Sequence, residues 1–152
     1  MAFSEIPIGL ALIPCDTIID DKRTGKKSLI GIISQITTTV LPAILPTMGL
    51  MISFTGGMGS YSCEIHCRSN NLEKPVFKMK GDVKFDHPNQ VIEMIFQLVH
   101  LQFPVAGVYI LEVFIDDILI MTRPLPVVQR QLKKGKKDSS SDSADPNKGF
   151  VF

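Results

Sequence analysis

The sequence predicts an all-β protein, an antiparallel β-sandwich of about eight strands with a disordered C-terminal tail. Three observations carry this. Phe103 to Val128, FPVAGVYILEVFIDDILIMTRPLPVV, consists of two β-branched apolar runs joined at Asp116-Asp117, the pattern of a β-hairpin. Turn signals recur upstream at the roughly 8–12-residue spacing of sandwich strands. After Val128 the composition turns to Lys, Ser, Asp and Gly with almost no apolar content, too little to offset the entropy of ordering. The domain boundaries follow: a sandwich over residues 4–128 and a Lys/Ser/Asp-rich disordered tail over 129–152.

In chain order, Ile6–Ile19 reads as a strand with Ile6, Ile8, Leu10 and Leu12 on one face. Pro14 cannot donate to a ladder and marks a bulge or an edge. Asp20–Lys27 is a polar turn around Gly25. Ser28–Thr39 returns as the second strand, with Gly31 as a bulge position. Val40–Pro46, with Pro42 and Pro46, reads as an apolar connection between sheets. Gly49–Phe54, Tyr61–Arg68 and Pro75–Phe85 follow as strands, separated by the Gly56-Gly57-Met58-Gly59 and Asn70-Asn71 turns. Gly81-Asp82 interrupts the last of them. Gln90–Gln102 satisfies two periods: Glu93, Gln97 and His100 fall at helical spacing, while alternation puts Ile92, Met94, Phe96 and Leu98 on one face. A strand is preferred, because every neighbour is a strand and the segment runs directly into Phe103-Pro104.

A two-residue hairpin loop sets Ile115 opposite Ile118. Counting outward pairs Val113 with Ile120, Leu111 with Thr122 and Tyr109 with Pro124 on the core face. Ile110, Glu112, Phe114, Leu119, Met121 and Arg123 then share the outer face, with Glu112 and Arg123 as diagonal neighbours within reach of an ion pair. This face is more apolar than a solvated one needs to be, and these six residues are the candidate interface.

With 152 residues, one domain is expected, long enough to bury a core without disulfide or metal support. The net charge of +1 is divided unevenly, −2 over residues 1–128 and +3 over 129–152, so the body lacks the basic surface of a nucleic-acid binder. Cys15, Cys63 and Cys67 are odd in number and show no framework spacing, which points to reduced thiols and a cytoplasmic protein. The first residues, MAFSEIPIG, have no basic region and are interrupted by Glu5, so they do not read as a signal peptide. No apolar run reaches the length of a membrane span.

The segments LIPCDTIIDD at 12–21, KKSLIGIISQI at 26–36 and FPVAGVYILEVFIDDILI at 103–120 resemble an uncharacterised family of small bacterial β-sandwich proteins, described only as a domain of unknown function. The resemblance covers both ends of the domain and none of the tail. It implies an all-β sandwich, and it brings neither an activity nor a site.

Several constellations bear on chemistry. Gly25-Lys26-Lys27-Ser28 echoes the end of a phosphate-binding loop, but Asp20 stands where the first Gly belongs and a strand follows instead of a helix. Cys63-x-x-His66-Cys67 suggests a metal site; on a strand the two thiols lie ~13 Å apart and His66 points to the opposite face, which one zinc ion does not tolerate. Asp16, Asp20, Asp21, Asp116 and Asp117 have the chemistry for calcium, opposed by Lys22, Arg23, Lys26 and Lys27. His66, His87 and His100 sit in no nucleophile motif, leaving only a dispersed catalytic site. Lys133, Lys134, Lys136 and Lys137 have no interleaved aromatic residues for stacking on bases. The expected function is therefore a non-catalytic module that binds a protein partner or a second copy of itself, with no cofactor, no metal and no membrane contact. Binding of a small ligand or carbohydrate by loops at one end of the sandwich is the alternative. An enzyme with a dispersed site comes third.

Overall fold

The computed structural model describes residues 5–132. They form nine strands in two sheets, where the sequence reading gives about eight. β1 (Ile8–Asp21), β2 (Lys26–Ile32), β4 (Ala43–Thr55) and β7 (Ile92–Phe103) make a four-stranded sheet in the order β2-β1-β4-β7. β3 (Ile36–Thr38), β5 (Gly59–Arg68), β6 (Phe77–Phe85), β8 (Gly107–Ile115) and β9 (Ile118–Gln129) make the facing sheet in the order β3-β9-β8-β5-β6. Every pairing is antiparallel except β3 with β9. No helix long and apolar enough to cross a membrane occurs among the described residues.

The core is the layer of alternating inward side chains expected of a sandwich. Met48, Leu50, Ile52, Phe54 and Phe103 project from one sheet, and Ile65, Phe85, Tyr109, Leu111, Ile115 and Leu125 from the other, all essentially inaccessible. The Tyr109 hydroxyl donates to the Val105 carbonyl at 2.8 Å, so its polar end is satisfied although the ring is buried. The segment expected at 90–102 is a strand, observed over Ile92–Phe103: Ile92, Met94, Phe96 and Leu98 lie opposite Phe54, Ile52, Leu50 and Met48. Glu93 and Gln97 face out, as alternation requires.

Three local expectations need correction. Ser28–Thr39 is two strands: pairing with β1 ends at Ile32, Ile33 and Ile36 turn into the core, and β3 joins the other sheet. The apolar connection is shorter than 40–46, because β4 begins at Ala43 and passes through Pro46. β6 runs unbroken through Gly81-Asp82. The strand boundary near the tail also moves, since Gln129 pairs with Thr38 and the Arg130 amide donates to the Thr38 carbonyl at 2.8 Å. Most of the predicted tail, 133–152, lies outside the described residues.

The β1–β2 hairpin does not stay in the plane of its sheet. β1 outruns β4: its last partner there is Cys15 opposite Gly49, and Thr17–Asp21 pair only with β2. Lys27 in β2 forms an ion pair with Glu93 in β7 at 3.4 Å, although β1 and β4 intervene in the sheet. The hairpin therefore curls over the sheet's outer face. Gly49 makes room for it: a Cβ there would lie 2.8 Å from Ile18 Cγ1 and 3.2 Å from Cys15 Sγ.

Candidate functional site

The β8–β9 hairpin turns at Asp116-Asp117, with Ile115 opposite Ile118. Both turn residues have positive φ, 45° and 67°, the backbone of the primed turns that match strand twist. The turn is fastened to β5: the Asp116 amide donates to the Ser62 carbonyl at 2.9 Å, and the Ser62 amide donates to Asp116 Oδ1 at 2.8 Å.

One residue further along β9 the simple count fails. Phe114 lies opposite Leu119 but Val113 opposite Met121, so Ile120 is an unpaired bulge residue. Because side chains alternate with period two, one extra residue exchanges the faces of everything beyond it. Met121 and Arg123 consequently point between the sheets with Leu125 and Val127. Met121 packs against Gly9, and Arg123 donates through Nη1 to the Leu12 carbonyl at 3.3 Å. Tyr109 faces Leu125 and Leu111 faces Arg123. Of the six candidate interface residues, Ile110, Glu112, Phe114 and Leu119 occupy the outer face; Met121 and Arg123 do not. The expected Glu112–Arg123 pair is replaced by one between Glu112 and Arg68 of β5.

The bulge also accounts for Pro124 and Pro126 within a strand. Groups two residues apart point to the same side. The ladder to β8 is continuous through this region, so both missing donors fall on the side away from β8.

Registers across β6, β5, β8 and β9 build the outer face in three rows. Lys80, Glu64, Phe114 and Leu119 form the first; Lys78, His66, Glu112 and Thr122 the second; Arg68, Ile110 and Pro124 the third. Glu64 is surrounded by Lys80 at 3.2 Å, His66 at 3.8 Å and Lys78 at 3.9 Å. The hydrogen bond from Lys80, aided by the surrounding positive charge, holds the Glu64 carboxyl below its ordinary range. Glu112 is 5% exposed and receives the Arg68 Nε–H; Arg68 Nη1 donates to Asn70 Oδ1 at 3.0 Å. The His66 ring packs on Phe114 with centroids 4.8 Å apart. Its Nε2 is buried without a hydrogen-bond partner.

At one end of this face a cleft of about 470 Å³ opens between β5, the loop 69–76 and the start of β6. His66, Arg68, Lys74 and Lys78 line it, with Glu73 as the single acid. Arg68 and the loop cations did not emerge as site residues from the sequence. The available signal was Glu64, His66 and Arg68 at alternate positions against Cys63, Ile65 and Cys67, a charged face on an otherwise buried strand.

The remaining candidates disperse. Cys63 and Cys67 are fully buried on the inner face, opposite in direction to His66, and all three cysteines are free thiols. Burial pushes the Cys63 thiol up to about 11, helped by Glu64, and the Cys67 thiol up to about 12. Gly25 closes the β1–β2 turn, its amide donating to the Asp21 carbonyl at 2.7 Å, and Lys26-Lys27-Ser28 open β2. Asp21 caps that turn through the Arg23 amide, which lowers its carboxyl below the ordinary range. His66, His87 and His100 lie on β5, a turn and β7. Among the described residues no three His, Cys, Asp or Glu side chains gather as a metal site would require.

A family model described as a family of unknown function (DUF6941) matches residues 10–128. A search of curated proteins finds no match. A similar solved structure is the crystal structure of a β-glucosidase from Listeria innocua in complex with glucose, at 8% identity and a TM-score of 0.45. The match covers 86% of this chain and 17% of that one, so the chain spans under a fifth of the enzyme's length.

Proposed function

The chain belongs to DUF6941, a family of unknown function, and from the geometry of its own surface we propose that it is a non-catalytic module that binds another protein through the outer face of its five-stranded sheet. The observation that carries this reading is a set of apolar side chains on that face: Phe114 beside Leu119 in one row, and Ile110 two rows along β8. Leu119 is 46% exposed, and Val108, the next residue beyond Ile110 on the same face of β8, 55%. Apolar side chains clustered on a sheet face, rimmed by charge, are the usual composition of a protein interface. The rim here is supplied by Arg68, Lys78 and Lys80.

A photo-crosslinking residue in place of Leu119 tests the reading in cells. A discrete protein adduct is expected, lost when Phe114→Glu is added. A crosslinker at Lys22, on the distant β1–β2 turn, should give none. Adducts that are indifferent to position, or that persist with Phe114→Glu, would overturn the assignment.

A small-ligand site is the second reading. Its support is the cleft beside the loop 69–76, whose volume lies within the range of small-molecule pockets.

A further inference from the structure

We propose that the cleft lined by Arg68, Lys74 and Lys78 receives a carboxylate from the protein that docks on the Phe114 row, so that the partner's docking segment is acidic as well as apolar. This inference rests on the protein-binding reading and names the chemistry of that partner.

The cleft adjoins both Phe114 and Ile110. His66 lines the cleft and packs its ring on Phe114. Arg68 lies directly across from Ile110. A peptide placing an apolar side chain against Phe114 or Ile110 has its neighbouring side chains within reach of the cleft.

Charge is layered in depth. The side chains of Glu64 and Glu112 are only 13% and 7% exposed, whereas those of Arg68, Lys78 and Lys80 are 48%, 53% and 73% exposed. The carboxylates lie beneath and are already engaged; the cations extend outward. An approaching ligand meets positive charge first, and complementary charge both steers encounter and fixes register.

Donors remain for a new acceptor. Arg68 spends Nε on Glu112 and one Nη on Asn70, which fixes its plane. A guanidinium carries five N–H donors, so others remain for an incoming carboxylate. Lys74 makes no ion pair among the described residues, and Glu73 beside it is the only acid in the lining. A second copy of the chain is a poorer occupant, because it would bring the same β6 face, with Lys78, Lys80 and Lys84 against the single acid Asp82, onto this one.

The probe is an acetylated, amidated hexapeptide of alternating Glu and Leu, with a Gln/Leu peptide as control, titrated into isotope-labelled full-length protein and followed by amide chemical shifts. The Glu peptide should shift Arg68, Lys74 and Lys78 together with Ile110 and Phe114. The Gln peptide should shift only the latter pair, with affinity at least about tenfold weaker. Lys74→Glu should weaken the Glu peptide by about tenfold or more and leave the Gln peptide unchanged; Lys74→Gln should act in the same direction more mildly. Equal affinity for the two peptides, or indifference to both Lys74 variants, overturns the carboxylate site while leaving the protein-binding reading intact. Shifts confined to the cleft, with Ile110 and Phe114 silent, overturn the apolar-row reading instead. Inorganic phosphate that occupies the cleft as tightly as the Glu peptide overturns the peptide in favour of a small anion, and absence of binding by both peptides overturns the proposal outright.

Discussion

Arg68 on β5 donates its Nε–H to the carboxylate of Glu112 on β8, and the two lie on adjoining strands but in successive rows of the outer face. Glu112 is the one strongly buried acid among the described residues. An ion held there without its partner would keep its desolvation cost and lose the interaction that offsets it.

Removing that partner is therefore expected to matter more than removing the pair. Arg68→Ala should destabilise the fold by about 1–3 kcal/mol, below the value for a fully buried pair because Arg68 is half-exposed. Arg68→Ala combined with Glu112→Gln should recover part of the loss. Urea denaturation of the two single variants and the double variant, read as a double-mutant cycle, measures the coupling; strict additivity would show that the pair contributes nothing.

The bulge at Ile120 predicts opposite behaviour for two residues that a simple hairpin count puts on the same face. Met121→Asp buries a charge between the sheets and should cost about 2–4 kcal/mol or prevent folding. Leu119→Asp should change stability by about 1 kcal/mol or less, because Leu119 is already half-exposed. Thermal or urea unfolding of the two variants decides; similar losses would mean that no bulge separates them.

Gly49 holds the β1–β2 hairpin against the sheet by having no side chain. Gly49→Val drives branched methyl groups into Ile18 and Cys15, and should cost about 1–3 kcal/mol. Amide hydrogen exchange should then accelerate in Thr17–Asp21 and β2 while β8 and β9 remain protected. Uniform acceleration would mean that the hairpin is no separate unit.

The buried thiols give a pH signature. Cys63 and Cys67 ionise near 11 and 12 in the fold, against 9.0 without its influence. Their folded pKa values are raised, so the stability they contribute is intact below pH 9 and is lost as pH climbs toward 11 and 12, by up to about 1.4 kcal/mol per pH unit for each thiol. Labelling by a thiol reagent at pH 8 should be slow for both and should become fast only on unfolding. Rapid native-state labelling of either would contradict their burial.

The parts of the fold legible in the sequence were those written in short-range chemistry. Asp116-Asp117 announces its turn because Asp tolerates positive φ, and alternation over Ile92–Leu98 outweighs the competing helical spacing. The Ile120 bulge has no such mark: it holds neither Gly nor Pro, and only the register of β9 against β8 reveals it. The switch between sheets at Ile33–Ile36 is equally silent, since Ile serves a strand interior and a crossing alike. Met121 and Arg123, beyond the bulge, consequently face opposite to the sequence expectation, while Ile110, Glu112, Phe114 and Leu119 lie on the expected outer face. Arg68 entered the site through its partner on another strand, a long-range relation that spacing along the chain does not carry.

The parallel pairing of β3 with β9 has a consequence for biosynthesis. Ile36 sits beside Val127, 91 positions later. At translation rates of 5–20 residues per second, the segment that becomes β3 waits roughly 5–20 s for its partner to be made. Through most of that interval β8 is also unmade, so the inner faces that the β8–β9 hairpin completes stay open on the nascent chain. Ribosome stalling before Ile118–Gln129 is made would therefore prolong the exposure of those faces and leave β3 without its sheet neighbour.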